Sequence, residues 1–185
     1  MAGREEFYAA ALDILAKDGS RALKITPLCR AVGVTSGSFY HHFGGWTAFV
    51  TGLLAHWERE QTGRVLEIAL ATPDPRERIE VTKRMTAALR HDVEVAIRAW
   101  ATVDPDVGRA QQRVDAERRI ALAEVLGGII PDREEAERLA EFGVCLLVGF
   151  QQTVEDLSEA RLLRIFDEYQ DVLVRHAGGS PSSSP

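Results

Sequence analysis

A chain of 185 residues with 45% hydrophobic and 27% charged side chains is apolar enough to bury a sizeable core and too apolar to stay disordered. Its net charge of −6 sets it apart from strongly basic chains that neutralise nucleic-acid phosphates everywhere, so any DNA-binding surface has to be local. No stretch is apolar for as long as a membrane span requires and MAGREEFYAA holds no apolar signal core, which leads us to expect a cytoplasmic protein with no membrane partner.

Charge is unevenly spread. Residues 1–48 carry Arg4, Lys17, Arg21, Lys24 and Arg30 against Glu5, Glu6, Asp13 and Asp18, so this segment is about neutral while the remainder holds the acidic excess. That permits DNA binding there without demonstrating it. Cys29 and Cys145 lie far apart without metal-ligand spacing, and each falls in an apolar pattern that predicts burial as packing.

The helical period of apolar residues recurs along the whole chain, and strict strand-like alternation is absent. Phe7, Ala11, Ile14 and Leu15 stripe a first helix that Asp18-Gly19 should end. Thr26 reads as an N-cap with Pro27 in the first helical position, opening a second helix that Gly33 closes. Thr35 reads as the next N-cap, starting a third short helix in which Phe39 and Phe43 pack inward. A long amphipathic helix is expected from about Trp46 to Leu70, stopped by Thr72-Pro73-Asp74-Pro75. Further helices are expected over roughly 76–90, 92–102, 105–126, 133–156 and 159–176, and GGSPSSSP (178–185) as a disordered tail.

Helix, tight turn at Gly33-Val34 and second helix across ITPLCRAVGVTSGSFYHHF (25–43) have the spacing of a helix-turn-helix. TPLCRAVGVTSGSFYHHF resembles the DNA-binding signature of the TetR/AcrR family, and AAALDILAKDG resembles its first helix; the strong likeness covers about Phe7 to Leu54. The resemblance implies an all-α protein of about nine helices: a three-helix helix-turn-helix domain (1–48) followed by a helical effector-binding and dimerisation domain (49–177). It implies a transcriptional regulator, usually a repressor released by a small-molecule effector, that binds palindromic double-stranded operator DNA as a homodimer.

Residue chemistry agrees with that implication. A recognition helix enters the major groove N-terminus first, so Ser36, Gly37 and Ser38 let the backbone approach the bases while the hydroxyls bond base edges or phosphates. In the family, positions matching Tyr40 and His41 touch bases or backbone, and those matching Thr26 and Thr35 contact phosphates. His42 is open to a structural hydrogen bond or a DNA contact. Adjacent helical residues diverge by about 100°, so His41 and His42 do not chelate one metal together. Where many family members carry a phosphate-binding lysine this chain has Trp46, which either supplies a neutral hydrogen bond or packs.

Large apolar residues Trp57, Met85, Leu89, Trp100 and Phe142 are candidates to line the effector cavity, each with core packing as its other reading. Leu139, Gly143, Leu146 and Phe150, with Leu162, Phe166, Tyr169 and Leu173, stripe the last two helices and are candidates for the dimer interface, with intramolecular core as the other reading. Nothing calls for a metal or cofactor. Two other functions compete: a helix-turn-helix regulator controlled by a protein partner or by no ligand, and a helical enzyme resting on His56 and Glu60, which share a face without a second pair.

Overall fold

The structure is a computed structural model and describes residues 3–178. Among the described residues it holds ten α-helices and no strand. They are α1 (Arg4–Asp18), α2 (Ile25–Val32), α3 (Ser36–Phe43), α4 (Trp46–Glu58), α5 (Arg64–Ala71), α6 (Pro75–Ala87), α7 (His91–Ala101), α8 (Pro105–Leu126), α9 (Arg133–Thr153) and α10 (Glu159–Gly178). The count exceeds nine because the expected Trp46–Leu70 helix is divided by a π-helical turn over Arg59–Gly63. Thr62 and Gly63, poor helix formers, stand in that turn. Gly178 ends α10, and the remainder of the expected tail, 179–185, lies outside the described residues.

The chain forms two compact units, each discontinuous in sequence: residues up to Glu60 with Arg90–Arg113, and Gln61–Leu89 with Val114 onward. The first is built on an aromatic cluster. Phe7 meets the Phe43 ring edge-on at 5.3 Å and 89°, and Phe43 meets Phe49 at 5.0 Å and 77°, the arrangement ring quadrupoles favour. Phe7, Phe39 and Phe49 are fully buried. A Cβ at Gly52 would collide with the Tyr8 hydroxyl, so α1 and α4 approach as closely as they do because Gly52 has no side chain. Within the same unit Glu94 is fully buried, 3.0 Å from Arg98 and accepting from Gln111 at 3.0 Å. A buried carboxylate is tolerated only with such partners.

The second unit packs α5 and α6 with the later part of α8, α9 and α10. Its interior joins Leu126, Ile130, Leu139 and Leu173 on one side and Leu147, Phe150, Leu162 and Phe166 on the other. Tyr169 donates its hydroxyl to the Leu139 carbonyl at 2.6 Å, tying α10 to α9, and burial pushes that hydroxyl above the usual tyrosine pKa range. Asp74 and Asp132 cap α6 and α9, accepting from the Arg76 and Glu135 amides. Cys29 is buried as expected, but Cys145 is exposed: on α9 it is Val144 and Leu147 that face the interior.

Candidate nucleic-acid interface and ligand cavity

Gly33 takes the left-handed conformation (φ 77°, ψ 30°), which glycine adopts without the Cβ penalty, and so ends α2 and turns the chain into α3 within three residues. Two of the expected caps work differently. α2 begins at Ile25 with Lys24 as N-cap, since the Leu28 amide donates to the Lys24 carbonyl at 3.0 Å. Pro27 is thus third in the helix, where its missing N–H is still one of the amides without an intrahelical partner. Thr26 does not cap and is exposed. Thr35 is the N-cap of α3 by backbone conformation, with the Ser38 amide donating to its carbonyl, but its hydroxyl makes no cap hydrogen bond and stays exposed.

Thr26, Thr35, Ser36, Gly37, Tyr40 and His41 are each exposed, and Ser38 is half-buried. Tyr40 is 51% exposed, unusually open for an aromatic residue next to a packed core. A Cβ at Gly37 would meet nothing nearer than Thr35 Oγ1 at 3.6 Å, so packing within the protein does not require glycine there. His42 points inward: its ring lies 5.7 Å from Phe7, and its carbonyl accepts from Arg4 at 2.7 and 3.1 Å. Arg4 thereby anchors the C-terminal turn of α3, where the helix dipole favours a cation. Trp46 lies over Phe39 and Phe49 at 6.4 and 5.3 Å, the packing reading of that position. The exposed cations Lys24, at the N-cap of α2, and Arg30, within it, make no ion pair among the described residues. Their signal in the sequence was only a neutral local charge balance.

His56 does not work with Glu60. Its Nδ1 lies 3.2 Å from a Glu5 carboxylate oxygen on α1, and its ring stacks on Tyr8 at 5.2 Å. Among the described residues, no three His, Cys, Asp or Glu side chains gather as a metal site would require. No helix among them is long and apolar enough to cross a membrane.

The second unit contains a cavity of about 100 Å³, walled by apolar side chains such as Val65, Leu122, Leu147 and Phe166. Most of its polar lining is engaged. Lys83 Nζ bonds Glu80, Asp167 and Gln170 at 3.1, 2.9 and 2.8 Å. Burial opposes the Lys83 charge, yet hydrogen bonds to Asp167 and Glu80 outweigh it and raise its pKa, while the bond from Lys83 lowers that of Glu80. Thr82 donates to the Arg78 carbonyl at 2.8 Å, and Arg118 lies 3.6 Å from Asp115. Thr62, in the lining, is only 6% exposed, and its buried hydroxyl makes no hydrogen bond. Leaving such a group unsatisfied costs about 1–3 kcal/mol.

Of the residues expected to line a cavity, Leu89 does. Trp57 and Trp100 are buried in the other compact unit, Met85 is outside the lining, and Phe142 is 46% exposed on α9, its ring 5.7 Å from Tyr169. The residues expected at a dimer interface are mostly buried in their own unit: Leu139, Gly143, Phe150, Leu162, Phe166, Tyr169 and Leu173, with Leu146 half-buried. Gly143 is a clear case, because a Cβ there would approach Leu122 Cδ2 to 2.8 Å and Tyr169 Oη to 2.9 Å. Small size at this position serves contacts inside the unit.

Residues 7–50 match the family described as bacterial regulatory proteins, tetR family. No curated protein sequence matches the chain. Among solved structures, a transcriptional regulator from Rhodococcus sp. Rha1 is similar with a TM-score of 0.76 at 19% identity, covering 97% of this chain and 100% of that one. A TetR transcription regulator from Haloarcula marismortui gives 0.72 at 18% identity, covering 91% and 96%. The transcriptional regulator FadR from Bacillus subtilis, solved in complex with stearoyl-CoA, gives 0.63 at 14% identity, covering 93% and 98%. At these identities the structural likeness speaks for the fold, and the matched segment is the helix-turn-helix with the start of α4. Residues 7–50 are thus similar to the tetR family of bacterial regulatory proteins, in a chain whose fold is similar to that of solved transcriptional regulators.

Proposed function

We propose that this regulator binds a palindromic operator as a homodimer through α3 and is released when a small molecule occupies the cavity in the second unit, so that it acts as a repressor in the cytoplasm. The observation that carries the DNA half is the exposed first turn of α3, where Thr35, Ser36 and Gly37 leave hydroxyls and bare backbone facing outward. Major-groove readers dock by the N-terminal end of the recognition helix, and twofold proteins mirror twofold sites. Lys24 and Arg30 supply the phosphate-neutralising charge that the overall balance of −6 lacks. For the dimer, the outer faces of α9 and α10 offer Phe142 and Val174, 46% and 56% exposed.

The cavity favours ligand control over control by a protein partner, and the FadR neighbour with stearoyl-CoA is an instance of this fold holding a small molecule. By linkage, a ligand that binds the DNA-free state better weakens operator binding by the factor by which DNA weakens ligand binding. Selection of bound genomic fragments by the purified protein, followed by gel shifts with candidate effectors, tests the proposal. A recurrent twofold sequence released by a compound supports it; fragments held no better than random DNA overturn it.

A further inference from the structure

Arg4 stands at the first position of α1, the end of a helix whose dipole disfavours a cation. The two carboxylates that follow it are engaged elsewhere: Glu6 accepts from the Gly3 amide and Glu5 faces His56. The Arg4 guanidinium makes no ion pair among the described residues and crosses instead to the His42 carbonyl, 38 residues away, with Nε donating at 3.1 Å and Nη2 at 2.7 Å. It lies over the Phe43 ring, 5.7 Å from its centre. The receiving helix needs such a hold. α3 has eight residues, too few to persist alone, and its last carbonyls have no partners of their own within the helix. It runs into Gly44 in the left-handed conformation (φ 71°, ψ −23°) and then Gly45, a glycine pair that by itself fixes the direction of the chain poorly. The opposite end is bare: the Thr35 hydroxyl makes no cap hydrogen bond, and Ser36 and Gly37 are exposed.

We propose that Arg4 is a positioning residue for sequence recognition: without touching a base, it fixes the tilt of α3 by holding that helix's C-terminal turn to α1, so that the exposed N-terminal turn meets base edges at one angle. This rests on the reading of α3 as the DNA-reading helix. Phe7 and Tyr8 also pack on Phe43, but apolar contact is non-directional, whereas two hydrogen bonds converging on one carbonyl are directional. Leverage makes the hold matter. At roughly 1.5 Å per residue α3 is about 12 Å long, so a tilt of about 10° about its held end moves the other by about 2 Å. That exceeds the roughly 0.5 Å within which binding groups have to be placed. Charges on phosphates tolerate such a shift and hydrogen bonds to base edges do not, so loss of Arg4 costs sequence discrimination and spares general DNA affinity.

Gel shifts on an operator fragment selected from genomic DNA and on random DNA, over a salt series well below the melting temperature, compare the wild type with Arg4→Met and Arg4→Gln. Methionine keeps an apolar stem without a donor. The glutamine amide nitrogen stands as many bonds from Cα as arginine Nε and still donates, without charge. We expect Arg4→Met to bind the operator about tenfold more weakly and Arg4→Gln about threefold more weakly, a loss on the scale of one hydrogen bond or less. Both should bind random DNA as the wild type does, with the same slope of log affinity against log salt. Hydrogen exchange of the free proteins should be faster in the α3 amides of Arg4→Met and unchanged in those of α7. Equal operator affinity in all three proteins, or α3 amides that exchange alike, overturns the proposal. Equal weakening of both variants on both DNAs, with the salt slope flattened by about one, makes Arg4 a phosphate contact and overturns it as well. Faster α3 exchange in Arg4→Met, beside a wild type that holds the operator no better than random DNA, shows the hold on α3 but defeats the reading of that helix and with it the role in recognition.

Discussion

Gly37 and Gly52 lack the same atom for opposite reasons. At Gly37 an added Cβ finds open space apart from Thr35 Oγ1 at 3.6 Å, whereas at Gly52 it collides with Tyr8. Gly37→Glu should therefore fold as well as the wild type and lose operator affinity by a hundredfold or more, roughly the cost of a carboxylate facing phosphate across a desolvated contact. Gel shifts at one fixed salt concentration, with circular dichroism for the fold, check this. Gly52→Ala should cost about 1–3 kcal/mol of stability through overpacking, and Tyr8→Phe added to it should recover part, since the colliding hydroxyl is gone. Denaturant titrations of the three variants measure that coupling. Lys24→Ala and Arg30→Ala should weaken binding to all sequences alike and flatten the plot of log affinity against log salt by about one per contact removed.

Among the elements, α1 to α3 were legible because their signals are local. Phenylalanines four apart and a glycine at the turn mark the helices, and Phe39 and Phe43 are buried as read. The caps were less legible: Thr26 looks like an N-cap, but a backbone bond to Lys24 starts α2 two residues earlier. In α9 and α10 the apolar stripes were real while their covering neighbour could not be read, since periodicity reports which face is buried and not by what. Phe166 and Leu173 turn out to serve the unit's own interior. Phe166→Glu or Leu173→Glu should accordingly lower the melting temperature steeply by burying an unpaired charge. Phe142→Glu with Val174→Glu should keep the fold and shift sedimentation toward monomer. A folded monomer from the first pair, or an unfolded protein from the second, would invert this assignment of faces. The π-helical turn at Arg59–Gly63 had no signal in the sequence beyond a Thr-Gly pair.

For the whole molecule, an acidic chain that binds DNA must do so through a confined surface, because 28 acidic side chains against 22 basic ones repel the phosphates elsewhere. The sequence was read as two domains, 1–48 and 49–177; the return of Arg90–Arg113 to the first compact unit was not visible in it, since that depends on contacts distant along the chain. Footprinting of the purified protein on a fragment selected from genomic DNA tests the central claim most directly, with Gly37→Glu alongside. The account predicts protection of two symmetric half-sites by the wild type and none by the variant at the same concentration and salt. Protection by Gly37→Glu equal to that by the wild type would contradict it.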